Sequence, residues 1–252
     1  MAIALSQLIA ETDQLLDAAR FNDYCPNGLQ VEGRPYVSKI VSGVTASQAL
    51  VDAAIEAEAD VLLVHHGYFW KGENPCVTGM KQRRLKALLD NDISLVAYHL
   101  PLDVHAELGN NVQLAKRLGW SIEGGLEADN PRSVGLVGAP VQVQTPQELV
   151  AQLAQVLGRE PLLIAGSQPI RRLAWCTGAA QGYIDKALAA GVDAFITGEV
   201  SEPTVHFARE NDITFIAAGH HATERYGVQA LGEYLARHFA IAHEFIDCAN
   251  PV

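Results

Sequence analysis

The stretch DVLLVHHGYFW, residues 60–70, joins a buried strand to a pair of histidines. Four aliphatic residues in a row, residues 61–64, predict a strand that is covered on both faces. His65 and His66 follow directly, and Gly67 permits the chain to turn. Because adjacent strand residues point to opposite faces, both imidazoles can serve one site only where the strand is already turning into the loop. The stretch therefore predicts a functional site at the end of a buried strand.

This region has a second copy later in the chain. Residues 46–64 (ASQALVDAAIEAEADVLLV) align without a gap on residues 179–197 (AAQGYIDKALAAGVDAFIT), with six identities in 19 positions. Residues 91–97 (NDISLVA) align on residues 211–217 (NDITFIA) with four identities. The offset falls from 133 to 120, so the first copy carries thirteen more residues between the matches, and GYFWKGENPCVTGMK is the obvious insertion. Such an internal repeat indicates a duplicated structural unit.

Each copy has the pattern strand, helix, strand, helix, strand, and the short strands are almost wholly apolar. This alternation predicts βαβ units with right-handed crossovers and parallel sheets. The sequence therefore predicts an α/β protein of two similar βαβ-type halves, with parallel-rich sheets flanked by helices. We place the first repeat, with an N-terminal helix, at residues 1–125, and the linker and second repeat at residues 126–252. The C-terminal segment, which contains AHEFIDC, can also pack on the first half.

Composition excludes several classes of function. The formal net charge is −11 and the chain has no basic run, which argues against binding to nucleic acid or to an anionic membrane. The first residues lack the features of a signal peptide, and no apolar run approaches the ~20 residues of a spanning helix. The four cysteines lie far apart and form no C-x-x-C pair. This usage predicts unpaired thiols in a reducing compartment, with the cytoplasm as the default location.

Residues that can bind metals follow strands in both copies. In open parallel α/β sheets, sites form beyond the carboxyl ends of the strands. The four matched strands end in His65-His66, in His99, in Gly198-Glu199 and in Gly219-His220-His221. If a helix begins near His220, then His220 and Glu224 are four residues apart and share a face. His99 and Asp103 have the same spacing, although Pro101 favours a loop there.

Together these residues supply imidazole nitrogens and carboxylate oxygens but no thiolate. Such donors suit Zn, Mn, Fe or Ni and disfavour a closed structural zinc site. Five or more ligands are too many for one tetrahedral ion and suit two ions bridged by a carboxylate, roughly 3.5–4 Å apart. A single histidine is more often a hydrogen-bonded core or surface residue than a ligand. Two His-His pairs at repeat-related strand ends, each followed by an acid, favour metal binding instead.

The sequence allows more than one interpretation of two features, Glu199 and the aromatic run at residues 68–70. Glu199 occupies the repeat position of His66, and it can be a further ligand, a catalytic carboxylate or an acid in the first turn of the next helix. Tyr68, Phe69 and Trp70 can form an ordinary exposed hairpin, stack a flat ring beside a metal or bury a subunit contact. Because three exposed aromatics would form an apolar patch that monomers seldom leave in water, we expect a closed homo-oligomer.

The chain resembles the YbgI-like, Nif-three-like family, often named GTP cyclohydrolase I type 2 homologues, in the motifs DYCPNGLQVEG, VHHGYFWKG, HLPLD, ELGNN, DAFITGEVSE and AAGHHATER. The resemblance covers nearly the whole chain. It implies a dinuclear metal site in an α/β fold of two similar domains, assembled as a toroidal homohexamer. The ligands that it implies are His65, His66, Asp103, His220 and Glu224, with Glu224 bridging. His99 and His221 match family motifs without being among these ligands.

We therefore expect a dinuclear metal-dependent hydrolase that acts on a nucleotide or related heterocycle, as a cyclohydrolase does. A metal-bound hydroxide is the expected nucleophile, because the ion lowers the pKa of water to about 7. Glu199 or His99 would carry protons. The alternative is a non-catalytic, metal-binding oligomeric scaffold or regulatory partner. A pure metal clamp needs no further acids and bases, so His99, Glu199 and His221 favour the enzyme. The chain has no G-x-x-x-x-G-K-[ST] loop for a triphosphate.

Overall fold

The computed structural model describes residues 2–252, which form two compact units. The first unit contains the residues up to Gly109 together with Gly227–Cys248. The second unit contains Asn110–Tyr226 and Ala249–Val252. Among the described residues, none of the helices combines the length and the apolar character needed to cross a bilayer.

Short strands alternate with helices along the chain. The strands are β1 (Ile3–Ala4), β2 (Gly28–Val31), β3 (Tyr36–Val37), β4 (Lys39–Thr45), β5 (Val61–His66), β6 (Ser94–Ala97), β7 (Ser121–Gly125), β8 (Leu136–Ala139), β9 (Leu162–Ile164), β10 (Leu173–Cys176), β11 (Ala194–Thr197), β12 (Thr214–Ala217) and β13 (Ala242–Phe245). The α-helices are α1 (Leu5–Leu15), α2 (Gln48–Glu56), α3 (Gly79–Asp90), α4 (Leu100–Val104), α5 (Asn110–Leu118), α6 (Pro146–Leu157), α7 (Ile184–Ala189), α8 (Glu202–Glu210) and α9 (His220–Phe239).

The first unit is built on a five-stranded sheet with the order β13-β4-β5-β6-β2. Strands β13, β4, β5 and β6 are parallel, whereas β2 at the edge runs antiparallel to β6. Strand β5 is apolar because both of its faces are covered. Leu62 and Val64 pack in one hydrophobic cluster, and Val61 and Leu63 pack in another. Each of these four residues is at most 1% exposed, so the strand that ends in the two histidines is held from both sides.

The second unit is built on a six-stranded sheet with the order β7-β8-β10-β11-β12-β9. Strands β10, β11 and β12 are parallel, and β8 and β9 flank them in the antiparallel direction. Along β11, Phe195 and Ile196 point into different hydrophobic clusters, so this strand is also covered on both faces. Strand β7 pairs with β8, so this sheet already begins at Ser121, before residue 126.

Both sheets contain the same β-α-β-α-β motif, in which three parallel strands lie side by side in chain order. The predicted α/β class, with parallel-rich sheets flanked by helices, is confirmed. The common strand order is also what the proposed duplication requires. The antiparallel strands β2, β8 and β9, which flank the parallel strands, are a difference from a purely parallel sheet. Hydrophobic periodicity does not reveal strand direction.

Residues 100–104 form a short helix, so the predicted loop in the HLPLD motif is wrong. The loop prediction rested on Pro101, but α4 begins at Leu100 and has the proline in its first turn. A proline is tolerated there because the N–H that it lacks would have no intrahelical acceptor. The backbone N–H of Asp103 donates to His99 O at 3.1 Å, so these two residues lie one helical turn apart.

Candidate metal centre

The predicted site residues lie in two clusters, one in each unit. The first cluster is His65, His66, His99 and Asp103, and the second cluster is Glu199, His220 and Glu224. In the first cluster, His65 is 0% exposed. Its Nδ1–H donates to the carbonyl of Tyr98 at 2.9 Å, which makes Nε2 the nitrogen that can bind a metal. Nε2 lies 3.5 Å from Oδ1 of Asp103, which is also buried. A neutral imidazole beside a carboxylate is a donor pair that suits a divalent cation.

His66 ends β5, and its ring converges with that of His65. The two ring centroids are 4.6 Å apart and the planes are tilted by 42°. Nδ1 of His66 lies 3.1 Å from Oγ1 of Thr45, at the end of the neighbouring strand. Gly67 follows, and its role is to leave space, because a Cβ there would lie 2.2 Å from Oε1 of Gln30. A glycine is therefore needed at position 67 because Gln30 packs closely against it, and not because of the conformational freedom at a turn that the sequence predicts.

His99 lies between β6 and α4, and Asp23 aligns its ring. Nδ1–H of His99 donates to Oδ1 of Asp23 at 2.7 Å, and its backbone N–H donates to Oδ1 of Asn27 at 2.8 Å. The His99 ring centroid is 5.1 Å from that of His65 and 5.7 Å from that of His66. One possible ligand atom from each of the three histidines lies within 4.8 Å of the others. The first cluster thus brings three imidazoles together at the carboxyl ends of β5 and β6.

Asp23 is a residue of the candidate site that the sequence alone does not reveal. Its buried carboxylate also accepts hydrogen bonds from the backbone N–H of Tyr24 and Leu100 and from the side chain of Asn27. Burial would raise the pKa of Asp23, but the hydrogen bonds from His99 and Asn27 outweigh it and lower the pKa to about 2. Asp23 therefore stays ionised and fixes the tautomer of His99. The motif DYCPN contains Asp23, but no spacing rule connects it with a histidine 76 residues later.

The predicted residues of the first cluster offer nitrogen and oxygen donors, and one thiol lies nearby. Cys25 is close to Asp23 and His99. However, burial and the charge of Asp23 raise the pKa of the Cys25 thiol to about 12. Burial thus disfavours the thiolate that a metal ligand requires, so in the metal-free protein Cys25 is a poorer donor than the imidazoles and carboxylates. Imidazole and carboxylate donors without sulfur fit the predicted Zn, Mn, Fe or Ni.

The second cluster is centred on His220, the first residue of α9. Its Nδ1–H donates to Oε1 of Glu199 at 2.7 Å, and Nε2 lies 3.1 Å from Oε2 of Glu224. Burial opposes a charge on His220, but the hydrogen bonds and charges of Glu224 and Glu199 outweigh it and raise the pKa to about 9. The cluster therefore favours a cation. Glu199 is not an acid of a helical first turn, because α8 begins only at Glu202.

Gly178 provides space for the second cluster. It follows β10 with φ +71°, and a Cβ at this position would lie 2.1 Å from Oε1 of Glu224 and 3.3 Å from Nε2 of His220. The backbone N–H of Gly178 donates to Oγ1 of Thr223 at 3.1 Å, which holds the glycine against the first turn of α9. Any side chain here would displace the carboxylate, so the backbone forms a cradle for the metal-binding groups.

The two remaining histidines near these motifs have different surroundings. His221 is buried, and its backbone N–H donates to Val252 O at 3.0 Å. Nδ1 of His105 accepts hydrogen bonds from the backbone N–H of Glu107 and of Leu108, at 3.2 and 3.0 Å. His105 therefore stabilises the turn after α4, which fits its place outside the predicted ligand set.

The aromatic stretch after His66 is not the exposed patch that we expected. Tyr68 is only 7% exposed, and its hydroxyl donates to Ala46 O at 2.9 Å. Phe69 is half-buried and packs against the hydrophobic core of the first unit. The expectation of a fully exposed aromatic triplet is wrong because two of the three rings face the protein interior.

Trp70 and Tyr24 flank the first cluster instead. The Trp70 ring meets the His99 ring edge to face, with centroids 5.0 Å apart, and lies 5.9 Å from the His66 ring. The Tyr24 ring is 6.3 Å from that of His99, and Tyr24 is 62% exposed. These two aromatic rings lie beside the imidazoles of the first cluster, which is consistent with the interpretation that Trp70 stacks a flat ring.

Comparisons with known proteins agree with one another. Residues 3–251 match the family model Duf34/NIF3 (NGG1p interacting factor 3). A Pseudomonas aeruginosa protein named GTP cyclohydrolase 1 type 2 homolog is 72% identical over 251 residues, with 100% of both chains covered. The solved structure of protein ybgI, described as of unknown function, has a TM-score of 0.95 at 50% identity and covers 99% of this chain and 100% of its own. The crystal structure of TTHA1606 from Thermus thermophilus has a TM-score of 0.90 at 33% identity, with 99% and 100% covered.

Replacing Gly178 with alanine should weaken metal binding. The new Cβ would displace the Glu224 carboxylate, and disturbing such a contact typically costs at least about tenfold in metal affinity. Gly191→Ala is the matched control, because Gly191 has φ +68° but nothing within 4 Å of a Cβ. Both variants should lose about 1 kcal/mol of stability through backbone strain. Calorimetric titration with metal measures the metal affinity, in which the two variants should differ even though they lose similar stability. Equal metal affinities for the two variants would contradict this role of Gly178.

Replacing Asp23 with asparagine should make the free energy of unfolding less dependent on pH in the acid range. A carboxylate with a folded pKa of about 2 and an ordinary value of 3.8 contributes stability above pH 3.8, and this contribution is lost as the pH falls through 2. The full contribution is about 2 kcal/mol, and about 1 kcal/mol of it is lost between pH 7 and pH 3. Urea unfolding of the chelator-treated proteins at both pH values measures the loss. A wild-type protein that loses no more stability than Asp23→Asn over this range would refute the assignment.

Proposed function

The chain belongs to the Duf34/NIF3 family, and from this premise we propose that it is a dinuclear metal-dependent hydrolase acting on a nucleotide or a related heterocycle. The observation that carries the proposal is the convergence of His65, His66 and His99, beside the buried Asp103, at the ends of two parallel strands. Relatives have the name GTP cyclohydrolase 1 type 2 homolog. A cyclohydrolase adds water to a ring carbon and opens the ring.

Two divalent ions per chain would be held by five ligands. These are His65, His66, Asp103, His220 and Glu224. The separation of 3.5 Å between His65 and Asp103 supports the first part of this set, together with the burial of both. The i, i+4 geometry of His220 and Glu224 supports the second part, with the space that Gly178 leaves. Five nitrogen and oxygen donors exceed the four of a tetrahedral ion and suit a pair of Zn, Mn, Fe or Ni ions, which the carboxylate of Glu224 would bridge.

When bound, the ions would activate a water molecule and polarise the bond that it attacks. The residues of the chain would supply proton transfer and orientation. His99 would carry the proton at Nε2, since its Nδ1–H is held by Asp23 at 2.7 Å. Glu199 was the other expected proton carrier, but its contact with Nδ1 of His220 favours an orienting role.

The surface formed by Trp70 and Tyr24 supports a flat substrate. Trp70 lies edge to face with His99, and Tyr24 extends the apolar surface on the exposed side. Aromatic contacts of this kind contribute about 0.5–1.5 kcal/mol beyond the burial of area. A purine or similar heterocycle placed on these rings would have its ring carbons beside the imidazoles of the first cluster.

The alternative function is a metal-binding scaffold or regulatory partner without catalysis. A scaffold needs its ligands but no further imidazole beside them that a carboxylate orients. The Asp23–His99 pair is such an additional group, with a hydrogen bond of 2.7 Å in a buried setting. It therefore favours the enzyme.

We further propose a cytoplasmic homo-oligomer, and specifically the hexamer that the family resemblance implies. The cysteines form no disulfide within residues 2–252, which suits a reducing compartment. Exposed apolar side chains on and before α3 supply a surface for contacts between copies. Val77, Met80 and Leu89 are 51%, 55% and 57% exposed.

The wild-type protein should bind two ions per chain at saturating metal and then hydrolyse a nucleotide in a screen of nucleotides and phosphoesters.

Replacing Glu224 with glutamine should weaken the binding of both ions by at least about tenfold, because glutamine cannot bridge two cations with a charged group. Inductively coupled plasma mass spectrometry of the dialysed proteins gives the stoichiometry. His105→Ala is the control and should retain both ions, since His105 is outside the proposed ligand set and accepts hydrogen bonds from the backbone of Glu107 and Leu108. One ion per folded chain would refute the dinuclear site, and two bound ions without hydrolysis of any compound would favour the scaffold.

Light scattering should give a particle of about six times the chain mass of 27.1 kDa at micromolar concentration. Replacing Val77 and Met80 together by serine should shift the particle to smaller species, because it removes apolar surface from the expected contact. Replacing the exposed Val141, in the second unit, by serine serves as the control. A wild-type protein that stays monomeric at this concentration would contradict the proposed assembly.

A further inference from the structure

One guanidinium nitrogen of Arg159 is buried without an acceptor in the described part of the chain. Arg159 follows Gly158, the left-handed residue that ends α6. Its Nη1 is buried and has no hydrogen-bond partner among residues 2–252. A guanidinium keeps its charge at every pH at which proteins fold. A buried donor of this kind is costly unless an acceptor reaches it, so the position favours an anion.

Gly219 holds the guanidinium at the end of β12. A Cβ on Gly219 would lie 2.2 Å from Nη1 and 2.8 Å from Cζ of Arg159, so only a glycine allows this approach. Gly219 also has φ +102°, which favours glycine independently. The next residue is His220, a proposed ligand. The charge of Arg159 is therefore placed next to the junction of strand and helix on which the second cluster is built.

A pocket of about 330 Å³ connects Arg159 with the second cluster. Its lining includes Arg159, Leu162, Gly198, Glu199 and Ala217. Two residues on this lining carry a carboxylate, Glu199 and the C-terminal Val252. Oε1 of Glu199 accepts the hydrogen bond from Nδ1–H of His220 at 2.7 Å. That contact offsets the charge of Glu199, and Val252 O accepts from the backbone N–H of His221 at 3.0 Å. Nη1 of Arg159, by contrast, has no hydrogen-bond partner among residues 2–252. A volume of about 330 Å³ is small for a ligand pocket, so it suits one chemical group of a ligand and not a large molecule as a whole.

We propose that this pocket binds a phosphate group of the substrate and that Arg159 is the residue that selects it. A guanidinium presents parallel N–H donors that match two oxygens of a phosphate. The assignment of the phosphate to a substrate rests on the proposed function, because it is the second cluster that places the pocket beside the reaction. The binding of a phosphate by Arg159 does not depend on the metal, so the two can fail separately.

Inorganic phosphate is the first probe, titrated by calorimetry into the full-length chelator-treated protein. Arg159→Gln should bind it at least about tenfold more weakly than the wild type, the loss expected for one charge-assisted contact. Arg159→Lys should fall between the two, since it keeps the charge but loses the paired donors. Arg171→Gln removes an exposed arginine of the same unit and should bind as the wild type does. In the same experiment, guanosine 5′-monophosphate should bind at least about tenfold more tightly than guanosine.

Equal phosphate affinity of the wild type and Arg159→Gln would overturn the proposal, and so would a wild type that does not bind phosphate at millimolar concentration. Equal affinity for guanosine and its monophosphate would overturn the assignment to a substrate. If Arg159→Gln does not fold, phenylglyoxal labelling of the wild type replaces it. Phosphate should then slow modification of Arg159 at least about tenfold and leave Arg171 unaffected, and equal protection would overturn the proposal. Metal content measured on the same proteins before chelator treatment reports separately on the dinuclear site.

Discussion

The hydrogen bond from Nδ1 of His65 to the carbonyl of Tyr98 determines how the first cluster can act. It fixes the tautomer of a fully buried imidazole and turns Nε2 toward Asp103. The register of the sheet produces this bond, because Val64 lies opposite Ala97 in the parallel pair of β5 and β6, and the N–H of Tyr98 donates to Val64 O. The packing of β5 on both faces keeps that register. A property of the apolar core thus sets the chemistry of a histidine.

The same arrangement recurs in both clusters. Each of four imidazoles has its Nδ1 in contact with a fixed oxygen, so each presents Nε2. The oxygens belong to Tyr98 for His65, Thr45 for His66, Asp23 for His99 and Glu199 for His220. The acceptors lie on other strands or loops than the histidines they hold. Orientation by a second residue of this kind is typical of metal sites and preorganises the ligand nitrogens.

Local patterns in the sequence predicted a large part of this structure. The apolar run before His65 predicted the buried strand, and the spacing of His220 and Glu224 predicted their contact on one helix face. Both predictions depend on periodicity within one element. The β-α-β-α-β order followed from the alternation of such elements and from the internal repeat.

Contacts between distant segments were not predictable in the same way. Asp23 reaches His99 across 76 residues, and Gly178 reaches Glu224 from another strand end. The spacing of residues along the chain predicts neither contact, because both contacts form only when the loops pack on the sheet. The loop predicted from Pro101 was wrong because a proline disfavours the interior of a helix but not its first turn. The burial of Tyr68 likewise depends on tertiary contacts, which the run of aromatic residues does not show.

The central claim is that the core, and not the metal, positions the ligands. The most direct test is the His65→Ala variant, with metal affinity and the free energy of unfolding measured on the same sample. The account predicts a folded protein that loses about 2 kcal/mol of stability through the cavity and the lost hydrogen bond. Its metal affinity should fall by at least about tenfold. A variant that loses its fold together with its metal would show that His65 is structural, and a variant that binds metal as the wild type does would remove His65 from the site.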